Sequence, residues 1–574
     1  MNRGDSYQLN FYATYARTFG LHDVSGLFTI EKSESESEDL WGNVTGPYSF
    51  TNFQSNGAGG EQTTGFTRSE AGVLSYVGRL NYAYADKYLA EFLIRSDAST
   101  KFAPENYWGV FPSLSAGWII SEESWFKEKV QFVDFLKIRG SYGILGRDNV
   151  PAWAWLQIYG SEVIKGPIFS SNPDLNAGPH FQIPNAVPNR NSHWDTAYKS
   201  SLGLDLNFLR NRLSVTLDGY YDKIRNSFLS ITEAPDYPTT IGATASPSNY
   251  GAIDNYGVEL SLNWCDKIGK DIKYHIKLNT GYTDNKIIEY PWQAVATRAL
   301  DAVQPNQRAD RGLWGYENIG MFRSYQEIAE YFAVNNLVTY MGKTQQDVHP
   351  GMLIYNNIRG SQKEDGTYYA PNDPADPASN VVDENDRVQI SKYRSNPYGF
   401  TINLGGEWKS LSLSAQIGAS WGSYAMVPTA AITTKSLVST SSGYDVMQYT
   451  NLPSFWTNDM FVYKDVLDEQ NNMVASQNLT ATYPNLRFDD VNGVASTFWK
   501  ISNTNIALRN ITLAYTLPKA WVNKAGIESC RFNITGQNML NFYNPYPDKF
   551  TNPMSNYSTY PTLRKITLGV NISF

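Results

Sequence analysis

The fold is decided by one stretch of strict alternation, Leu202-Gly203-Leu204-Asp205-Leu206-Asn207-Phe208. Every even position is apolar and every odd position is small or polar, which is the period of a β-strand with one apolar and one wet face. The pattern resumes with Leu213, Val215 and Leu217, which alternate with polar neighbours. Only residues 209–212 separate the two runs, so the sequence predicts a β-hairpin with a tight turn.

The same alternation recurs along the whole chain. Most of the predicted strands run for nine to fourteen residues, longer than the usual five or six of globular sheets and suited to a tilted membrane crossing. We find no convincing helical stretch longer than two or three turns. Fifteen strands are predicted, near residues 7–17, 22–31, 73–84, 87–95, 109–120, 135–144, 196–208, 212–224, 253–264, 272–284, 397–408, 410–422, 503–516, 528–538 and 563–574.

The connections between these strands alternate between short and long. Long structureless loops are rare in compact soluble domains, whereas short periplasmic turns opposite long extracellular loops are typical of outer-membrane barrels. The sequence therefore predicts an all-β fold, an antiparallel transmembrane β-barrel with a wet lumen. The long extracellular loops are expected near residues 32–72, 145–195, 225–252, 285–396, 423–502 and 539–562.

The composition excludes several other classes of protein. The 574 residues have a mean hydropathy of -0.40 and contain no apolar run near 18 residues, which excludes helical membrane spans. The 47 Lys and Arg against 55 Asp and Glu give a net charge of -8, which argues against a nucleic-acid partner. The only cysteines, Cys265 and Cys530, cannot build a disulfide framework or a cysteine-rich metal site.

The two ends of the chain carry further information. The final strand alternates through Leu568, Val570 and Ile572 and stops at Phe574, which resembles the C-terminal assembly signal of bacterial barrels. If Phe574 is periplasmic, the strand at 7–17 descends, and an even strand number predicts at least one further strand before it. Met1 is followed by polar residues rather than an apolar export segment, so either the protein stays in the cytoplasm or its export signal lies upstream of this sequence. The excess of Tyr and Gly favours an upstream signal.

Ordered blocks along the chain carry a family resemblance. Two of them read Trp108-Gly109-Val110-Phe111-Pro112-Ser113 and Asn255-Tyr256-Gly257-Val258-Glu259-Leu260. Together the blocks resemble the SusC/RagA-type TonB-dependent outer-membrane transporters of Bacteroidota. The others lie at residues 15–22, 78–82, 95–99, 115–118, 136–143, 508–518 and 536–538.

The resemblance implies a function and a set of partners. It implies TonB-dependent import of oligosaccharides, or of peptides, across the outer membrane, with no bond chemistry and no cofactor. A SusD-like surface lipoprotein would cover the loops, a TonB complex would act through a plug domain, and lipid and lipopolysaccharide would surround the wall. The chain would be the C-terminal part of a barrel of about 22 strands, without the signal peptide, the plug and the first strands.

Two other functions compete with this interpretation. A self-contained passive porin of about 16 strands would leave an open channel, but the odd strand count and the ordered family blocks argue against it. A secreted all-β glycan-binding module would need polar outer faces, whereas the predicted outer faces are rich in Leu, Val and Tyr.

Loop tryptophans are the candidate substrate contacts, because an aromatic face can stack on a sugar ring or a peptide side chain. Most Trp and Tyr of a barrel instead form girdles at the two membrane interfaces, and we assign Tyr82, Tyr84 and Trp118 to a girdle. The substrate-contact candidates are Trp153, Trp155, Trp292, Trp314, Trp456 and Trp499.

Three other motifs are weighed as chemical sites. Asp383-Glu384-Asn385-Asp386 has oxygen ligands at calcium-loop spacing but lacks the glycine and the terminal glutamate of such loops. Asp383, Asn385 and Asp386 are therefore only a weak calcium candidate. No other metal site is predicted. Gly418-Ala419-Ser420-Trp421-Gly422 matches the Gly-x-Ser-x-Gly motif of the hydrolase nucleophile elbow. That elbow requires a sharp turn between a strand and a helix, whereas Ser420 lies within a predicted strand. The acidic run from Ser33 to Asp39 is interpreted as a solvated loop tip.

Overall fold

The computed structural model describes most of the chain. The description covers residues 2–44, 62–157, 160–162, 180–182, 187–229, 247–290, 299–376, 380–432, 436–439, 445–448, 453–467, 471, 473–552 and 562–574.

Fifteen antiparallel strands form one sheet, here called the wall, in which each strand pairs with its neighbours in chain order. All fifteen predicted strands are present. The strands β1 to β15 are Asn2–Phe19, His22–Val44, Gln62–Tyr84, Tyr88–Ser99, Trp108–Ile119, Val133–Arg147, Asp195–Phe208, Leu213–Leu229, Ser248–Ile268, Ile272–Glu289, Tyr398–Trp408, Leu411–Trp421, Asn505–Thr516, Ser529–Asn541 and Lys565–Ser573.

The register of the wall follows the sequence alternation. In the β7–β8 hairpin Leu204 lies opposite Leu217, while Asp205 lies opposite Thr216 on the other face. The intervening turn places residues 209–211 in the left-handed region, with φ near +60° at each residue, which lets the chain reverse within four residues. One face of each strand is therefore apolar and the other polar.

The main error in the predicted boundaries concerns residues 32–72, which were expected to form a loop but belong largely to two long strands. Both β2 and β3 run for 23 residues and stay paired in register from His22↔Tyr84 to Val44↔Gln62. The alternation of Ser and Glu in Ser33–Glu38 continues the strand period, so the run interpreted as a loop tip is strand. Within the described residues, this hairpin extends well past the level at which the other strands end.

Aromatic side chains mark two levels on the outward face. At the level of the short turns Tyr84, Tyr88 and Trp118 stack with ring centres 6.3 Å apart. At the level of the long loops Tyr76 stacks on Trp108 at 5.8 Å. Ten residues of β5 separate Trp108 from Trp118, roughly 33 Å along a strand and about 25 Å in height after tilting.

These two levels match the girdles of a transmembrane barrel, because the apolar band between such girdles is about 25 Å tall. The predicted assignment of Tyr82, Tyr84 and Trp118 to a girdle agrees with their exposed positions on this face. The upper girdle continues through two stacked ring pairs, Tyr221–Tyr256 and Tyr282–Tyr398.

The opposite face of the wall carries charges that are matched across strands. Arg139 on β6 reaches Asp205 on β7 at 3.0 Å and Asp218 on β8 at 2.7 Å. Arg95 and Asp97 on β4 also form an ion pair on this face, with nitrogen and oxygen 2.7 Å apart. This face is the wet lumen side, since ionised groups there keep both water and partners.

The sequence predicts long loops without secondary structure, but the described parts of these loops contain short strands and helices. Their strand pairs are Leu313–Tyr316 with Arg387–Ser391, Asn318–Met321 with Leu353–Tyr355, Thr339–Tyr340 with Val381–Val382, Tyr424–Met426 with Lys500–Ser502, Ser436–Ser439 with Asp445–Gln448, Val466–Leu467 with Met473–Ala475, and Gly160–Glu162 with His180–Gln182. The α-helices are Ser124–Lys129 beside a short turn and, in the long loops, Tyr325–Val334, Thr429–Ile432, Ser454–Thr457 and Asp489–Asn492, with Lys519–Val522 after β13.

The described parts of the loops between β10 and β11 and between β12 and β13 fold together into what we call the loop cap. Its first apolar core contains Phe322, Tyr340 and Tyr355 from one loop and Phe461 and Val491 from the other. Among the described residues, no helix is both long enough and apolar enough to cross a membrane.

Buried hydrogen bonds join the two loops of the cap. Asn492 Oδ1 accepts from Leu353 N at 2.8 Å, and Asn492 Nδ2 donates to Gly351 O at 3.0 Å. Tyr355 Oη donates to Val491 O at 2.8 Å. Burial raises the pKa of Tyr316, in the same core, to about 12. The phenol therefore stays protonated at physiological pH and the core holds no buried phenolate.

Membrane insertion of the wall is tested with Leu260→Arg on β9, midway between Tyr256 in the upper girdle and Trp264 near the short turns. An outward arginine at mid-membrane is expected to cost about 2 to 4 kcal/mol, measured by urea unfolding in phospholipid vesicles. The control is Ser261→Arg, because Ser261 faces the lumen, and a loss below about 1 kcal/mol is expected there. Equal losses for the two variants would contradict the assignment of the faces.

Candidate functional site

A polar cavity opens where the lumen face meets the long loops. Its volume is about 350 Å³, and it lies at the loop ends of β11, β12 and β13. The side chains that line it are Ser395, Asn396, Ser420, Ala425, Ile501, Ser502, Asn503, Thr504, Asn505, Pro545 and Tyr546. We call it the mouth cavity.

Hydrogen bonds fix Asn396 at the centre of this cavity. Its Nδ2 donates to Ser420 Oγ at 3.0 Å and to Asn503 O at 2.6 Å. Its Oδ1 accepts from the backbone N of Ser423 at 3.1 Å and from the Ser423 hydroxyl at 2.8 Å. The segment before β11, the end of β12 and the segment before β13 are therefore tied together through one amide.

One amide oxygen in the cavity is left without a partner. Asn505 Oδ1 is buried and accepts no hydrogen bond from the residues that the structure describes. A buried acceptor of this kind costs free energy unless a donor reaches it. The lining of the cavity thus contains a buried amide acceptor that no described donor reaches.

The mouth cavity carries no formal charge. All of its lining residues are neutral at pH 7, and burial raises the pKa of Tyr546 above its ordinary value, so that phenol stays protonated. Deeper in the lumen lies a groove of about 430 Å³ lined by Asp218, Glu259 and Arg509 together with Ser and Thr side chains. A ligand would therefore meet neutral amides and hydroxyls first and charges afterwards.

Trp153 and Trp155 form an aromatic pair in which Trp153 is exposed and Trp155 is half-buried. Their ring centres lie 6.2 Å apart, Trp153 is 37% exposed, and the Arg190 guanidinium lies 5.6 Å from the Trp155 ring. Val150 packs into a small buried core with Trp194, which anchors the start of this loop. The structure thus leaves Trp153 accessible to a ligand, while Trp155 lies behind it with a buried indole nitrogen.

The other tryptophan candidates have different surroundings. Trp314 is half-buried and its indole donates to Arg311 O at 2.9 Å. Trp292 lies outside the described residues. Trp456 and Trp499 are fully buried, pack with ring centres 4.9 Å apart and donate to Pro484 O and Asn492 O. The prediction for these last two is wrong, because neither ring has a face left for a ligand.

The calcium candidate has a structural role. Asp386 Oδ1 accepts from Ile358 N at 2.6 Å and from Arg359 N at 2.9 Å, and Oδ2 accepts from Asp383 N at 2.9 Å. Asp383 in turn accepts from Asn385 N at 2.8 Å. Burial raises the pKa of Asp386, although these N–H groups oppose the rise. The motif is a capping box in the loop cap, and this accounts for its carboxylates without a cation.

The remaining motifs belong to the wall and the cap. Ser420 is a lumen-face residue near the end of β12, opposite Gly399 on β11, so the elbow spelling lies on a strand. His275 lies opposite Gly405 on the lumen side, and His349 stacks on Phe488 at 5.3 Å. Among the described residues, no three His, Cys, Asp or Glu side chains cluster as a metal site would require.

The sequence interpretation missed the mouth cavity. Its amide side chains belong to two segments, and Asn396 and Asn503 are 107 residues apart. The available signal was the run Ser502-Asn503-Thr504-Asn505, four side chains that hydrogen-bond without charge at the start of a lumen strand. Such runs also occur in ordinary loops, so the run by itself did not identify a site.

The chain is similar to known receptors along most of its length, although no protein-family model matches it. TonB-dependent receptor P3 of Formosa agariphila is 24% identical over 591 residues, which cover 98% of this chain and 52% of P3. TonB-dependent receptor SusC of Bacteroides thetaiotaomicron is 30% identical over 279 residues, 48% of this chain and 27% of SusC. The resemblance to SusC/RagA-type TonB-dependent receptors is confirmed.

A solved structure shows the same fold. The RagAB peptide transporter matches with a TM-score of 0.69 at 17% identity, covering 100% of this chain and 56% of that chain. The chain thus spans about half the length of P3 and of the RagAB chain. The fifteen-stranded wall is therefore outer-membrane β-barrel wall with the fold of the RagAB chain, and its long loops carry the mouth cavity.

The corrected role of Trp456 predicts a stability effect. Trp456→Ala should destabilise the loop cap by about 3 to 5 kcal/mol, because it removes a large buried side chain. Trp153→Ala, the control, should change stability by less than about 0.5 kcal/mol, since that ring is exposed. Limited proteolysis of the loops in folded barrels measures both, and equal protease resistance of the two variants would contradict the buried role.

The capping box predicts a cation-independent effect. Asp386→Ala removes the acceptor of three backbone N–H groups and should destabilise the loop cap by about 2 kcal/mol, whereas Asp365→Ala, at an exposed turn, should have little effect. Thermal unfolding with and without a calcium chelator provides the measurement. A midpoint that falls on chelation in the parent protein would restore the calcium interpretation.

Proposed function

We propose that this chain supplies the barrel wall and the extracellular loops of a TonB-dependent nutrient importer that takes up oligosaccharides. The observation that carries the proposal is the neutral mouth cavity at the top of a charged lumen. In this view residues 1–574 are the C-terminal part of the receptor barrel, and the long loops are extracellular.

The wall supports passage of a bulky ligand. Its lumen face carries mainly polar side chains, and some of its charges are paired across strands, as Arg139 is with Asp205 and Asp218. Matched charges keep the lumen wet without a strong field of one sign. A large neutral molecule can move along such a face without leaving ionised groups unpaired.

The cavity chemistry supports an oligosaccharide in preference to a charged substrate. Sugar hydroxyls donate and accept hydrogen bonds, which suits Asn505 Oδ1 and the serine and threonine hydroxyls that line the cavity. Trp153 can add a stacking face at the rim. The similar RagAB structure is that of a peptide transporter. Peptides are therefore the second candidate substrate, since their backbones also donate and accept hydrogen bonds.

The partners in this proposal come from the resemblance. A SusD-like lipoprotein would sit over the loop cap and retain the ligand, and a TonB complex would open the path through a plug domain. The proposal includes outer-membrane lipid and lipopolysaccharide around the wall. A passive porin fits less well, because a folded loop cap with its own core stands above the wall. The outward apolar band argues against a secreted module.

The substrate class is tested on the full-length receptor purified with its lipoprotein partner. Neutral oligosaccharides and mixed oligopeptides are titrated into the complex by calorimetry. Asn505→Ala should weaken oligosaccharide binding by about tenfold, the loss of one buried hydrogen bond. The control is Ile506→Ala, because Ile506 is the next residue and faces the other side of the wall.

The outcomes separate the alternatives. Binding should be the same at pH 6 and pH 8, because no group in the mouth cavity titrates between these values. A response to peptides alone would replace the oligosaccharide by a peptide substrate. Equal effects of Asn505→Ala and Ile506→Ala would remove the mouth cavity from the site.

A further inference from the structure

A cationic patch lies beside the upper girdle on the outward side of the wall. It consists of Lys223, Arg225, Lys286, Arg308 and Lys392, carried by β8, β10 and the segments that flank the loop cap. Three of these cations lie over tyrosine rings. Lys223 Nζ lies 5.6 Å from the Tyr221 ring centre, and Lys392 Nζ and the Arg308 guanidinium lie 5.1 Å and 4.5 Å from the ring centre of Tyr393.

The strand register fixes the height of the patch. Lys223 lies opposite Asp254, which lies opposite Lys286, so these three form one row across β8, β9 and β10. The row directly below contains Tyr221 and Tyr256 of the upper girdle. The two lysines therefore project just outside the aromatic level, where lipid headgroups lie.

The carboxylates in this region already have partners. Asp254 pairs with Arg225 at 2.7 Å and accepts from the Tyr221 hydroxyl at 2.5 Å. Asp284 pairs with Arg308 and accepts from the Tyr282 hydroxyl at 2.9 Å. Five cations thus surround two carboxylates that are each paired with an arginine, and the three lysines leave the patch with a positive charge.

The opposite arc of the outward rim is different. Lys32 on β2 lies one row above Tyr76, as Lys223 does above Tyr221, but its Nζ is 2.8 Å from Glu34. Above it, Arg68 pairs with both Glu36 and Glu70. The described cations on this side are matched by carboxylates, whereas the described cations of the arc from β8 to β11 outnumber the carboxylates beside them.

We propose that the cationic patch binds the phosphate groups of a phosphorylated lipid in the outer leaflet. Lysine and arginine at headgroup height attract anionic headgroups at about 1 kcal/mol per residue. The apolar band continues directly below the patch through Val258 and Leu217, where the acyl chains of the same lipid would lie. The assignment depends on the membrane position of the wall and is independent of what the barrel transports.

The test uses the full-length receptor in detergent, with lipid A as the probe. Replacing one lysine by glutamine should weaken lipid A binding by about fivefold, and the triple variant K223Q/K286Q/K392Q should weaken it by roughly 100-fold. The matched control K32Q should stay within about twofold of the parent, because Lys32 is already paired. Circular dichroism melting verifies that each variant is folded.

Each alternative has its own result. Equal affinity for dephosphorylated lipid A would overturn the proposal, as would an equal loss in K32Q. Inorganic phosphate that binds as tightly as lipid A would assign the patch to a free anion. If the triple variant does not fold, the single variants and a salt series on the parent protein decide, because phosphate binding must weaken as salt rises. Affinity that is insensitive to salt would also overturn the proposal.

Discussion

Each wall strand separates lipid from water, and this single constraint organises the molecule. Successive side chains of a strand point to opposite sides, so Leu204 and Leu217 meet on the lipid face while Asp205 and Asp218 share Arg139 on the lumen face. A shift of one residue in register would place carboxylates in lipid and leucines in water. The register is therefore fixed at every hairpin by the difference between the two phases.

The same constraint explains why the loops fold. Above the upper girdle the chain has water on both sides, and the two longest loops contain many apolar residues that cannot face lipid there. They bury these residues against each other, as Phe322 and Phe461 show. Buried backbone groups then need partners, which Asn492 and Tyr355 supply across the two loops. The loop cap is a small soluble core attached to a membrane wall.

The arrangement of charge divides the molecule into zones with different chemistry. The mouth cavity is neutral, the lumen below it carries paired charges, and the outward rim is cationic on one arc and ion-paired on the other. The cavity depends on both parts of the structure, since Asn396 joins the end of a wall strand to segments that enter the loop cap. A rigid cap thus fixes the amide geometry at the entrance to the lumen.

The period of two, the short turns and the order of the family blocks are local, so the sequence alone determined the fifteen wall strands, their faces and the resemblance to SusC/RagA-type receptors. It could not decide how far β2 and β3 extend, because a polar alternation of Ser and Glu fits both a strand and a loop. Nor could it separate Trp153, which is exposed, from Trp456, which is buried. Only the tertiary structure showed which tryptophan is buried, and only it brought together the mouth cavity and the cationic patch. Burial and proximity arise from contacts between segments that are distant in sequence, more than 100 residues apart in the loops. A local sequence pattern carries no information on such contacts.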